Sequence, residues 1–94
     1  MSATELRIDS DEIARTILTL CAERGPDKTV CPSEVARAIA GSDEKRWRRL
    51  MPTIRHQSIR LADKARIVIR RKGRVVDPHA FKGIYRLAIP APDA

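Results

Sequence analysis

Residues 31–65 read CPSEVARAIAGSDEKRWRRLMPTIRHQSIRLADKA, and the fold turns on how this stretch divides. Pro32 suits a first helical position, where its missing N–H costs nothing, and Glu34 sets a carboxylate near the positive end of the helix dipole. Val35, Ala36 and Ile39 make a short apolar face that Gly41 ends, which predicts a helix over about 32–40. A three-residue turn, Gly41-Ser42-Asp43, leads into a longer helix that Ser42 or Asp43 caps. Advanced by about 100° per residue, Trp47, Leu50, Met51, Ile54, Ser58, Leu61, Ala62 and Ala65 fall within about 120° of arc. Pro52 stands in the middle, yet the apolar register is unchanged across it. The pattern predicts one helical element over 43–65, bent at Pro52 or restarted there with Pro52 in its first turn.

Working outward, Asp9 with Glu12 three residues later gives a capping-box arrangement, with Asp in the hydroxyl's place. Ile13, Ile17, Leu20 and Cys21 share a face and Gly25-Pro26 forbids continuation, so a first helix is expected over 10–24. Thr29-Val30 is β-prone but too short to stand alone. On the other side Ile67-Val68-Ile69 is a β-branched run, Arg71-Lys72-Gly73-Arg74 a turn, and Val75-Val76 a second strand stopped by Asp77-Pro78. Residues 84–89 make a last strand with Tyr85, Leu87 and Ile89 on one side. The expected fold is mainly α with a small antiparallel β-sheet. Its order is that of a winged helix-turn-helix: three helices plus a β-hairpin wing. The domain runs over 10–89, between a flexible arm (1–9) and a flexible tail (90–94).

Charge is sorted along this order. Residues 1–43 carry 5 Lys/Arg against 8 Asp/Glu, and residues 44–94 carry 14 against 4. Between Glu44 and Arg74, 12 basic residues face only Glu44 and Asp63. On the long helix the side opposite Trp47 carries Arg46, Arg49, Thr53, His56 and Arg60, with Lys64 close by. The wing turn carries Arg70, Arg71, Lys72 and Arg74. A helix of this motif enters the major groove and a wing meets the flanking backbone, so these ten residues are the candidate DNA-binding set. Arg49 and Arg60 have the geometry to read guanine, Thr53 and His56 to add hydrogen bonds, and the wing cations to hold phosphates. A solvated basic face is the plain alternative. Arg48 and Arg55, on the helix flank, are expected either to pair with acids of the first two helices or to touch DNA.

Other classes have less support. No apolar run approaches the ~18 residues of a membrane span, and no signal-peptide core is present. Cys21 and Cys31 imply no disulfide framework, so a cytoplasmic protein is expected. Cys21 should be buried; Cys31, at a helix N-terminus, leaves a redox role open. No ligand spacing for a metal, no phosphate-cradling glycine loop and no nucleophile with a base are evident, so neither a cofactor nor an enzyme is expected. Trp47, Phe81 and Tyr85 are the only aromatics, with Trp47 and Tyr85 in patterns that want them inside, which leaves little for stacking single strands. His79 reads as a solvated loop residue.

The chain also resembles a family of short bacterial proteins classed as a domain of unknown function with winged-helix character. The matching residues are Pro32-Ser33-Glu34-Val35-Ala36-Arg37, Trp47 with Leu50-Met51 and Ile54-Arg55, Leu61-Ala62, Gly73 through Val76-Asp77-Pro78, and Gly83-Ile84-Tyr85-Arg86-Leu87. The resemblance covers roughly 10–89 and implies the fold but no activity. From the residues, the expected partner is double-stranded DNA, as for a small transcriptional regulator or accessory factor. A homodimer is open, because one winged helix covers only a half-site. Two alternatives stay open: a module docking an acidic protein, with Ile59, Leu6 and Ile8 as exposed apolar anchors, and structured-RNA binding.

Overall fold

The computed structural model describes residues 9–92. Leu6 and Ile8 of the expected arm lie outside the described residues. Helix α1 spans Ser10–Arg24 and is capped by Asp9, whose carboxylate accepts the Asp11 N–H at 3.0 Å. It buries Ile13, Ile17 and Cys21 and stops at Gly25, which adopts φ 84° and donates its N–H to the Cys21 carbonyl. Helix α2 spans Pro32–Ala40 and buries Pro32, Val35 and Ala36. Arg24 bridges the two, pairing with Glu34 at 2.8 Å and donating to the Thr29 carbonyl.

The long helical element is restarted, not bent. Helix α3 covers Glu44–Trp47 under an Asp43 cap, a 3-10 turn covers Arg48–Leu50, and helix α4 runs Met51–Asp63 with Pro52 in its first turn. Pro52 has no N–H to give the Arg48 carbonyl. The tightened turn meets that need instead, with the Met51 N–H donating to it. Ser58 sits in the apolar register without orphaning its hydroxyl, which donates to the Ile54 carbonyl at 2.7 Å.

The element ends two residues before the predicted Ala65. The Ala65 N–H donates to the Ala62 carbonyl and the Arg66 N–H to the Leu61 carbonyl, both at 2.9 Å. This is a Schellman cap with Ala65 in the left-handed position, φ 59°, where glycine is the usual residue. Ala65 is therefore exposed and outside the core, contrary to the wheel. Replacing Ala65 with Gly is expected to raise unfolding stability by about 1 kcal/mol in urea titration, because the Cβ penalty of that conformation is removed.

The sheet has three antiparallel strands, β1 (Val68–Arg71), β2 (Arg74–Val76) and β3 (Arg86–Ala88), in the order β2-β1-β3. Val30 extends it beyond β3 through two backbone hydrogen bonds with Leu87. Lys72 and Gly73, both at positive φ, form the two-residue turn between β1 and β2, the combination a type I′ hairpin requires. Register places Ile69 opposite Val76 and Leu87, and Arg70 opposite Val75 and Arg86. Ile69 and Leu87 join Ile13, Ile17, Ile54 and Leu61 in one core. Residues alternate sides along a strand, so Arg70 and Arg86 point away from it.

Burial pushes two acids of this core upward: the Cys21 thiol to about 11, with Arg24 opposing, and the Tyr85 hydroxyl to about 12. Both favour the protonated form when folded. Unfolded chains ionise these groups from their ordinary values of 9.0 and 10.0, so the folded state holds more protons above about pH 9. Stability is expected to be full below that pH and to fall as pH rises toward 11–12, as denaturant midpoints across this range would show.

Candidate nucleic-acid interface

The helix stripe is built as its spacing implied. Arg46, Arg49, His56, Arg60 and Lys64 are exposed along α3, the 3-10 turn, α4 and its end, and Thr53 is half-buried among them. Pro52 is also exposed on this stripe, so the helix restart itself faces outward. Among the described residues, none of these cations pairs with a carboxylate. Lys45, exposed in the first turn of α3, belongs with them. At about 100° per residue it lies about 160° around the helix from Trp47, on the same side as Arg49 and His56.

Flanking cations are occupied within the domain. Arg48, in the 3-10 turn, pairs with Glu44 at the start of α3, not with acids of α1 or α2. Arg55 lies over the Phe81 ring at 4.1 Å and the Tyr85 ring at 5.7 Å, and donates to the Phe81 carbonyl. Arg37 lies over Trp47, 5.6 Å from the ring centroid. Trp47 is half-buried beneath it, at the margin of the core and not inside it. Near the end of α4, His79 is bonded to the Asp63 carboxylate at 2.8 Å, so it is paired and not merely solvated. Arg55 and His79 together hold the 77–85 segment against one flank of α4. Ile59 is half-buried against the core and is not the exposed anchor expected of it.

The β1–β2 hairpin of the wing forms as expected, and the last strand, β3, pairs with β1 and bridges to Val30, which leaves β2 at the edge of the sheet. Two of the four expected wing cations are anchored, which the sequence reading did not foresee. Arg70 donates from Nη2 to the Pro26 carbonyl, and Arg71 donates from Nε to the Ile84 carbonyl at 2.9 Å. Lys72 and Arg74 remain exposed. Arg70, Arg71, Lys72, Gly83, Ile84 and Arg86 line a groove of about 500 Å³ at the sheet tip.

A model of the family described as "Protein of unknown function (DUF3253)" matches residues 10–90, from the first residue of α1 to just past β3. The chain belongs to this family. No curated protein matches it. The DUF3253 region contains every candidate interface residue, on the helix stripe and at the sheet tip alike.

Two DUF3253-region residues at that tip escaped the sequence reading. Ile84 is 84% exposed, and Arg86 contributes to the groove while donating from Nε to the Thr29 hydroxyl. Their signal was present: placing Tyr85, Leu87 and Ile89 inward puts Ile84 and Arg86 outward. Ile84 also borders a second, apolar groove of about 600 Å³, lined by Cys31, Pro32, Trp47, Met51 and Tyr85. Cys31 caps α2 without a side-chain bond to its backbone; its sulfur instead meets the Ser33 hydroxyl at 3.0 Å. Among the described residues no three His, Cys, Asp or Glu side chains are grouped to hold a metal ion. No described helix is long and apolar enough to cross a membrane.

Proposed function

We propose that this chain is a double-stranded DNA-binding protein, a small regulator or accessory factor with winged-helix character, acting in the cytoplasm of a bacterium and without catalysis. One observation carries the reading. The cations on the flanks of the long helical element are engaged within the domain, Arg48 by Glu44 and Arg55 by Phe81 and Tyr85, while Arg46, Arg49 and Arg60 on its outer stripe stand exposed and unpaired by any described carboxylate. Unrelieved positive charge along one helix is the electrostatic footprint of a polyanion partner. The motif aims that helix at the major groove, which accepts a single helix, whereas the major groove of duplex RNA is too narrow for side chains to read. Competition of unlabelled duplex DNA and duplex RNA against a labelled DNA duplex tests the choice. DNA should displace the label at lower concentration, and preferential displacement by RNA would replace this reading with structured-RNA binding. Two copies on adjacent half-sites would suit a regulator.

A second reading rests on Ile84. This exposed side chain stands between the cationic groove and the apolar one, an arrangement suited to an acidic segment with an apolar anchor. Replacing Ile84 with Ala removes the apolar anchor without adding charge to the cationic groove, and should weaken such docking severalfold in a titration with an acidic peptide that carries an apolar residue.

A further inference from the structure

We propose that the groove at the sheet tip, bounded by Arg70, Arg71, Lys72 and Arg86, is a phosphate-binding site. Four cations converge on one groove of about 500 Å³, and among the described residues no carboxylate pairs with any of them. Arg70 and Arg86 are direct cross-strand partners, a like-charge juxtaposition that disfavours the sheet unless an anion offsets it.

Three of the four side chains are held by one part of the guanidinium, leaving other N–H groups to donate. Arg70 is fixed through Nη2 by the Pro26 carbonyl, Arg71 through Nε by the Ile84 carbonyl, and Arg86 through Nε by the Thr29 hydroxyl. Side chains fixed before a ligand arrives lose little freedom on binding it, and a guanidinium fork matches the oxygens of a phosphate. Arg70 Nε is buried without a partner, so part of this charge is removed from water with nothing to compensate it. Gly83 supplies the close wall: a Cβ there would lie 2.9 Å from Arg71 Nη2.

The site does not rest on the duplex reading. A phosphate group reaches it from either of two sources, the backbone of a bound nucleic acid or a free phosphate. The test is a titration of ¹⁵N-labelled protein with inorganic phosphate at constant ionic strength, following the arginine Nε–H signals and the Lys72, Gly83 and Ile84 amides. A saturable shift confined to the groove is expected. Lys72→Gln, in the exposed turn, should weaken it about three- to fivefold, and Arg86→Gln should remove it. If Arg86→Gln fails to fold because the Thr29 contact is lost, Lys72→Gln decides alone.

Shifts that never saturate and are reproduced by chloride overturn the proposal, as does unchanged phosphate affinity in Lys72→Gln. A parallel titration with a DNA duplex separates the sources. Movement of the same signals, reversed by phosphate, identifies a backbone phosphate. Saturation by phosphate with no movement on duplex binding identifies a free one. Should the duplex bind while phosphate does not saturate, this site fails and the duplex reading stands. Should phosphate saturate while no duplex binds, the duplex reading fails and the site stands.

Discussion

Changing Arg49 and Arg60 together to Glu is expected to abolish duplex binding while leaving the domain folded. Both side chains are exposed, on the 3-10 turn and in α4 respectively, and neither is paired with a described carboxylate. No ion pair among the described residues is therefore given up, but two attractive charges become repulsive ones facing the phosphates. A loss of more than about 100-fold at low salt is expected. The log–log salt dependence of what binding remains should flatten by about 0.9 for each phosphate contact removed. The thermal midpoint should fall by only a few degrees, since a Glu in the last turn of α4 opposes the helix dipole by about 0.3–1 kcal/mol. Unaltered affinity in this variant would mean that the helix is not the element that meets DNA.

The largest effect on stability is expected at Ile54. This residue is fully buried on α4, one turn before Ser58, in the core that Ile13 and Ile17 of α1 share with Ile69 and Leu87 of the sheet. Ile54→Ala removes three carbons from a site walled by separate elements that cannot all relax inward, so about 2–5 kcal/mol should be lost. For a domain of this size that is a large part of the total, and a fall in melting temperature of more than roughly 10 °C should accompany it. The folded fraction should keep its duplex affinity, because the Ile54 side chain is buried in the core and not exposed on the outer stripe. A loss below about 1 kcal/mol would mean that the α4 junction is not where the core is concentrated.

What could be read in the chain beforehand was what neighbours in sequence decide. Asp9, Gly25, Pro32, Gly41 and Asp43 each act within a few residues, and the helix ends they mark lie where expected. Ala65 ends α4 without glycine, so the position carried no stop signal. Long-range contacts were hidden for a different reason. The Val30–Leu87 bridge, the Arg55–Phe81 stack and the Asp63–His79 pair join residues 57, 26 and 16 apart. Nothing in local periodicity specifies such partners. Phe81 did carry a hint, as a large aromatic in an otherwise polar loop with no reason to be there unless it docks. The stripe from Arg46 to Lys64 was legible because helical spacing alone sorts exposed from buried positions. Arg70 and Arg71 were legible as cations but not as anchored ones, since their acceptors, the Pro26 and Ile84 carbonyls, are backbone atoms of distant loops.

The measurement closest to the central claim is fluorescence anisotropy of a labelled mixed-sequence DNA duplex, titrated with the protein at several salt concentrations. Binding on the order of micromolar at low salt is expected, with log K falling steeply against log salt at about 0.9 per phosphate neutralised. A slope near −4 or steeper would correspond to the exposed cations of the stripe and the turn acting together. No binding at the lowest salt, or affinity indifferent to salt, would contradict the account and leave the acidic-partner reading at Ile84 in its place.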